Sequence, residues 1–234
     1  GDAIDLTKSL HTHRKLDEAI AHYEEVRRIA VLRIQSAARN STEWFENVER
    51  YVDFPDEQLF YSLLTRSQRV GHSNLAERDP SWHAQYERWF SRTAGHTEED
   101  PPPPMFTQYK LRDMTLQNRV VVSPMSTYSA QDGCPSTFHL VHLGARALGG
   151  AGLVFTELTA IAPEGRITPQ CVGIYTDDHE KSWKEMTHFV HENSNAKIAL
   201  QLGHAGPRAS TLPPHLGENL PLEEGGWPTI GPSS

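Results

Sequence analysis

Residues 118–129 constrain the fold more than any other stretch of the chain. Three successive valines, residues 120–122, stand between polar neighbours, as expected of a strand buried on both faces. Ser123-Pro124 ends the run, because proline has no N–H to give to a ladder. A loop of small and hydroxyl-bearing residues follows: Ser126, Thr127, Tyr128 and Ser129. A buried strand that runs into such a loop suits a site at the carboxyl end of a parallel sheet.

Two later stretches have the same design. Residues 153–157, Leu-Val-Phe-Thr-Glu, lead into Leu158-Thr159-Ala160, and residues 197–202 lead into Gly203-His204-Ala205-Gly206. Between the first two strands, Leu140, Leu143, Ala147 and Leu148 fall at helical spacing. Between the second and third, Trp183, Met186 and Val190 do the same. Strand, helix, strand, helix, strand predicts βαβ units and a parallel sheet, an α/β fold.

The first part of the chain differs. Leu16, Ile20, Tyr23, Val26, Ala30, Ile34, Ala37, Ser41, Trp44 and Val48 recur at steps of three or four, which predicts one long helix with an apolar face. At ~1.5 Å per residue it would be about 50 Å long. Asp53-Phe54-Pro55 interrupts it, with Asp53 as a candidate cap. A second helix carries Leu59, Phe60, Leu63 and Leu64. A third opens at Asp79-Pro80 and carries Trp82, Tyr86, Trp89 and Phe90. Acidic residues and four prolines at 96–104 form a semi-rigid linker. The expected organisation is therefore an all-α segment over 1–95, the linker over 96–104, and an α/β region over 105–234.

Composition excludes several classes. A formal net charge of -8 argues against a broad nucleic-acid surface. Two cysteines, Cys134 and Cys171, suggest neither a disulfide framework nor a zinc site, and make the reducing cytoplasm the default location. No apolar run approaches the ~20 residues of a membrane span. The opening Gly-Asp-Ala-Ile-Asp reads as the interior of a longer chain. The pairs His139/His142 and His188/His191 have helical spacing but no third ligand at a matching interval, so no metal is expected from them. No Gly-x-Gly-x-x-Gly occurs.

Several spaced motifs of the α/β region together carry a resemblance. They are Asn118-Arg119, Ser123-Pro124-Met125, Tyr128-Ser129, Glu157, residues 163–168 (Pro-Glu-Gly-Arg-Ile-Thr) and residues 201–206 (Gln-Leu-Gly-His-Ala-Gly). In this order they resemble the first half of the old yellow enzyme family, FMN-dependent ene-reductases on a (β/α)8 TIM barrel. The resemblance implies that Ser123, Pro124 and Met125 meet the N5/O4 edge of FMN, and that the backbone at Leu158 also contacts it. Gln201 carries both donor and acceptor, which suits the mixed O2/N3 edge. Ser126 stands where relatives often carry a cysteine, and a serine tunes the flavin differently because it forms no thiolate. Tyr128 is the candidate catalytic residue, contacting substrate or the pocket wall. Glu157 is expected to hold an arginine behind the site. Gly206-Pro207-Arg208 displaces the basic group of the relatives' Gly-Arg-Lys. NAD(P)H would be the reductant and an activated alkene the acceptor. Such a part of a barrel, with an open strand edge, is not expected to turn over by itself.

The helical segment has its own resemblance. Residues 23–28, 35–41 and 44–46 are similar to the carboxyl tail of class A FAD aromatic hydroxylases, and Asp2-Ala3-Ile4 to the end of a second FAD-contacting segment. A hydroxylase tail joined to an ene-reductase head resembles the bifunctional aryl-CoA monooxygenase/reductases. That implies FAD as a second cofactor, an aryl-CoA thioester as substrate and a homodimer. Two other readings remain: an ene-reductase with an unrelated helical extension, or a non-catalytic helical docking module on a barrel scaffold.

Overall fold

A computed structural model describes residues 1–217, 221–222 and 224–231. The chain forms two compact units, Gly1–Trp89 and Phe90–Ser234.

The first unit is helical. α1 (Asp2–Thr12) lies antiparallel along α2 (Leu16–Glu46), since Arg27 pairs with Asp2 at 2.8 Å and Asp5 at 3.3 Å while Ser9 Oγ meets His22 Nδ1 at 2.9 Å. α3 (Asp56–Thr65), α4 (His72–Arg78) and α5 (Pro80–Thr93) follow. The long periodic helix forms as expected, but its apolar face is only partly covered. Ala19 and Trp44 are its buried residues, while Leu16, Ile20, Val26 and Ile34 stay exposed. Trp44 is held by an Nε1–H donated to Ser62 Oγ at 2.7 Å and by stacking on Tyr51. Asp53 is not the cap of α3, which starts after Pro55; Asp79 does cap α5, its Oδ1 accepting from Trp82 N at 3.0 Å. α1 and α4 were not legible in the sequence; both are short, and packing rather than a long apolar period sustains them.

The second unit starts with a hairpin, β1 (Tyr109–Leu111) against β2 (Met114–Leu116), whose turn puts Arg112 at φ 53°. A three-stranded parallel sheet follows: β3 (Val121–Val122), β4 (Leu153–Ala160) and β5 (Lys197–Gly203), in that order. α6 (Thr137–Leu148) and α7 (Asp177–Asn193) are the connections. Leu143, Ala147, Trp183, Met186 and Val190 from the helices bury Val154 from the sheet, and Val122, Ile198 and Leu200 pack on the same cluster. Leu148, expected on the core face of α6, is exposed. Gly149 ends that helix, with Gly150 at φ 92°. Gly144 lies inside it, where a Cβ would stand 2.7 Å from the Phe189 ring of α7.

All the core strand residues named so far point to one side. Val122 pairs with Val154, and Val154 with Ile198, so these three share the helix-covered face. Their alternates, Val121, Phe155 and Ala199, therefore share the other face. Val121 is 47% exposed, which corrects the expectation of a strand buried on both faces: helices cover one side only. β4 also runs three residues past Glu157, to Ala160.

The Asn118-Arg119 motif anchors the start of the sheet. Asn118 donates to Gly150 O at 2.7 Å and accepts from Val120 N at 3.0 Å. Arg119 donates to Thr107 Oγ1 at 3.0 Å and lies over the Phe90 and Tyr109 rings. A Cβ on Gly152 would fall 2.8 Å from Asn118 Oδ1 and closer still to the Asn118 carbonyl oxygen. Backbone cannot yield there, so Gly152→Ala is expected to destabilise the second unit by about 1–3 kcal/mol. Urea unfolding followed by tryptophan fluorescence checks it; an unchanged midpoint would contradict the close approach.

Candidate flavin site at the strand ends

The site is built around an irregularity in β4. Between the pairs Phe155↔Ala199 and Leu158↔Gln201, β4 advances one residue more than β5. The extra residue is a β-bulge, a device that re-aims side chains beside functional sites. Buried threonine hydroxyls repair the ladder. Gln201 N donates to Thr156 Oγ1 at 3.2 Å, and Thr156 and Thr159 hydroxyls each donate to Glu157 O at 3.0 Å.

The bulge aims Glu157 at the loop after β3. Its carboxylate accepts from Thr127 Oγ1 at 2.6 Å, Thr127 N at 3.2 Å and His139 Nε2 at 3.1 Å. Glu157 is 4% exposed and His139 2%. Ser136 N donates to His139 Nδ1 at 3.0 Å, so the network assigns the imidazole proton to Nε2, where it is donated to Glu157. Ser129 Oγ donates to Thr127 O at 3.0 Å, which tightens the same loop. The expectation that Glu157 holds an arginine is therefore corrected: its partners are Thr127 and His139. Sequence reading passed over His139 by treating it as half of a His-x-x-His pair. The usable signal was Ser136 three residues before it, a capping-box spacing with histidine in the third position. His142, its companion, stacks on Phe138 instead, and burial holds its pKa below the usual histidine range.

The predicted cofactor residues gather at the carboxyl ends of the three strands. Ser123, Met125 and Ser126 are exposed in the loop just beyond β3, and Pro124 is half-buried between them. Leu158 and Gln201 are register partners on β4 and β5. Gln201 shares a strand face with Ala199, two residues before it, and so lies on the side the helices leave bare. Its side-chain amide has no hydrogen-bond partner among the described residues. Tyr128 is half-buried at φ 51°, a left-handed conformation that is costly for an aromatic residue and tends to occur at functional sites.

The flanking loops pack on one another. A Cβ on Gly165 would stand 2.8 Å from the His204 ring, and Ala205 N donates to Gly165 O at 2.8 Å. His204 Nδ1 accepts from Gly206 N at 2.9 Å, while Arg208 is exposed. Arg166 lies over the Trp227 ring, whose Nε1–H donates to Glu164 O at 3.0 Å. Cys171 is buried against Thr168, and burial pushes its thiol pKa up.

Residues 104–226 match the NADH:flavin oxidoreductase / NADH oxidase family, and the chain belongs to that family. Among solved structures, morphinone reductase in complex with tetrahydroNAD is 35% identical over 47% of this chain and 29% of its own, with a TM-score of 0.43. An old yellow enzyme from Pichia sp. AKU4542 is 29% identical over 46% and 28%, with a TM-score of 0.44. A homologue from Zymomonas mobilis is 30% identical over 46% and 30%, with a TM-score of 0.43. The chain thus spans under a third of the length of these structures. No helix among the described residues is long and apolar enough to cross a membrane.

An uncommitted amide at Gln201 and exposed hydroxyls at Ser123 and Ser126 fit the mixed donor and acceptor edge of a flavin ring. Two outcomes test the framework. Glu157→Gln puts an amide among the donors of Thr127 and His139, and is expected to cost about 1–3 kcal/mol in chemical unfolding. Iodoacetamide at mildly alkaline pH is expected to alkylate Cys134 in the folded protein and Cys171 only after unfolding, as peptide mass spectrometry would report.

Proposed function

We propose that the bare carboxyl end of β3–β5 binds the ring of FMN in a flavin-dependent NAD(P)H oxidoreductase of old yellow enzyme type. The observation that carries this is the unpartnered Gln201 amide, in register with Leu158 and beside the Ser123–Ser126 stretch. When bound, the flavin supplies hydride transfer from a nicotinamide to an activated alkene. The chain's own residues orient it. The Ser123, Pro124 and Met125 backbone and the Ser126 hydroxyl would hold one edge of the ring, Gln201 the mixed donor and acceptor edge, and the backbone at Leu158 would also contact it. Glu157 and His139 hold Thr127, and through it the loop that carries Tyr128. We assign Tyr128 to substrate contact.

The finer reading keeps the helical unit as the tail of an FAD hydroxylase acting on an aryl-CoA thioester, within a homodimer. Its support is the sequence of residues 23–28, 35–41 and 44–46, all of which lie on α2.

Titrating the full chain with FMN, followed by flavin fluorescence and visible absorption, tests the first reading. Saturable quenching is expected, with Gln201→Leu weakening binding about tenfold, the loss of roughly one hydrogen bond. Saturable binding indifferent to Gln201→Leu, or no binding at any FMN concentration, would reject the site. FAD among the flavins released by heat would favour the hydroxylase reading; FMN alone would count against it.

A further inference from the structure

The helical unit holds a cluster that the flavin chemistry does not use. His72 opens α4, and His83 and Glu87 lie one turn apart on α5, hence on one face of that helix. His72 Nε2 stands 3.0 Å from Glu87 Oε1 and 2.9 Å from His83 Nε2, while His83 Nδ1 is 3.7 Å from Glu87 Oε2. One ligand atom from each residue can be chosen so that all lie within 4.8 Å of one another. We propose that His72, His83 and Glu87 bind a divalent transition-metal ion, with Zn²⁺ the best-fitting member, and that the ion clips α4 to α5.

The donor set is the first argument. Two imidazoles and a carboxylate are the ligands Zn²⁺ takes in three-residue sites, with water in the fourth position. Bonds of about 2.0–2.1 Å in a tetrahedron separate ligand atoms by roughly 3.3 Å; His72 Nε2 already stands at 3.0 Å from Glu87 Oε1 and 2.9 Å from His83 Nε2, and one atom from each residue falls within 4.8 Å of the others, so small side-chain rotations close the set around an ion. Hydrogen bonding alone uses the cluster poorly. His72 Nε2 carries at most one proton, yet it faces both a carboxylate oxygen and a second imidazole nitrogen. A cation between the three groups satisfies all of them together.

The surroundings are the second argument. Tyr61 Oη lies 3.3 Å from His72 Nδ1, the nitrogen opposite the proposed ligand atom. A partner on the far nitrogen fixes ring orientation and tautomer, as outer partners of metal-bound histidines do. Tyr61 stacks on Tyr86 at 4.4 Å, and Tyr86 on Trp82 at 5.6 Å, so aromatic rings back the cluster. The side chains of His72 and Glu87 remain about a third exposed, which leaves an entry path for the ion and room for water.

The placement also gives the ion a structural use. α4 has 7 residues, too few to be stable as an isolated helix. A metal bond from its first residue to α5 would add a fixed point to the packing of its one buried residue, Leu75.

The test is calorimetric titration of the chelator-stripped full chain with ZnCl₂, with Co²⁺ absorption as a probe of coordination geometry. One equivalent of Zn²⁺, intense tetrahedral-type Co²⁺ bands and a raised melting temperature are expected. His72→Gln, His83→Gln and Glu87→Gln should each weaken binding by about tenfold or more, while His188→Gln on α7 should leave it unchanged. Circular dichroism identifies any variant that loses helicity, in which case the remaining variants decide. Absence of saturable Zn²⁺ binding, or binding undiminished by the three substitutions, overturns the proposal.

Discussion

The buried carboxylate of Glu157 is the constraint on which the rest of the α/β unit depends. A charge withdrawn from water is tolerated only when its oxygens are fully engaged. Here Thr127 supplies a hydroxyl and an amide, and His139 an imidazole N–H. These charge-assisted bonds couple three elements: the bulged strand β4, the loop after β3 and the first turn of α6. Removing any one partner would leave the others mispaired in a dry environment. The loop that carries Ser123, Met125 and Ser126 is therefore tied at Thr127 instead of floating at the end of a strand with only two residues.

The sheet is asymmetric for a packing reason. α6 and α7 send Leu143, Ala147, Trp183 and Met186 to one face, and that face holds the core. The other carries Val121, Phe155, Ala199 and Gln201, and receives no helix among the described residues. Gln201, in register with Leu158, is exposed there at the carboxyl end of its strand. The bulge lets Glu157 face the loop while Leu158 stays level with Gln201.

The helical unit is held differently. Charge pairs and a buried hydroxyl fasten α1 to α2, and stacked aromatic rings join α3 to α5. Its apolar period is real, but Leu16, Ile20, Val26 and Ile34 remain exposed and Trp44 alone of the period is buried.

By itself the sequence determined the strand–helix order of the α/β region and where its first strand stops. Period-2 and period-3.6 patterns are local, and they stand out at residues 153–160, 183–190 and 197–203. Ser123-Pro124 and Gly149 likewise stop a strand and a helix through their own backbone chemistry. Gln201 stood out in the sequence because a polar side chain at a strand end is a local anomaly. Only the tertiary structure decided what depends on distant partners. It set which valine of the first strand is covered, that Glu157 meets His139 instead of an arginine, and that β4 carries a bulge. It also brought His72 beside His83 and Glu87. Those outcomes arise because hydrogen bonds and burial join groups far apart in the chain, and no local pattern records the distance between them.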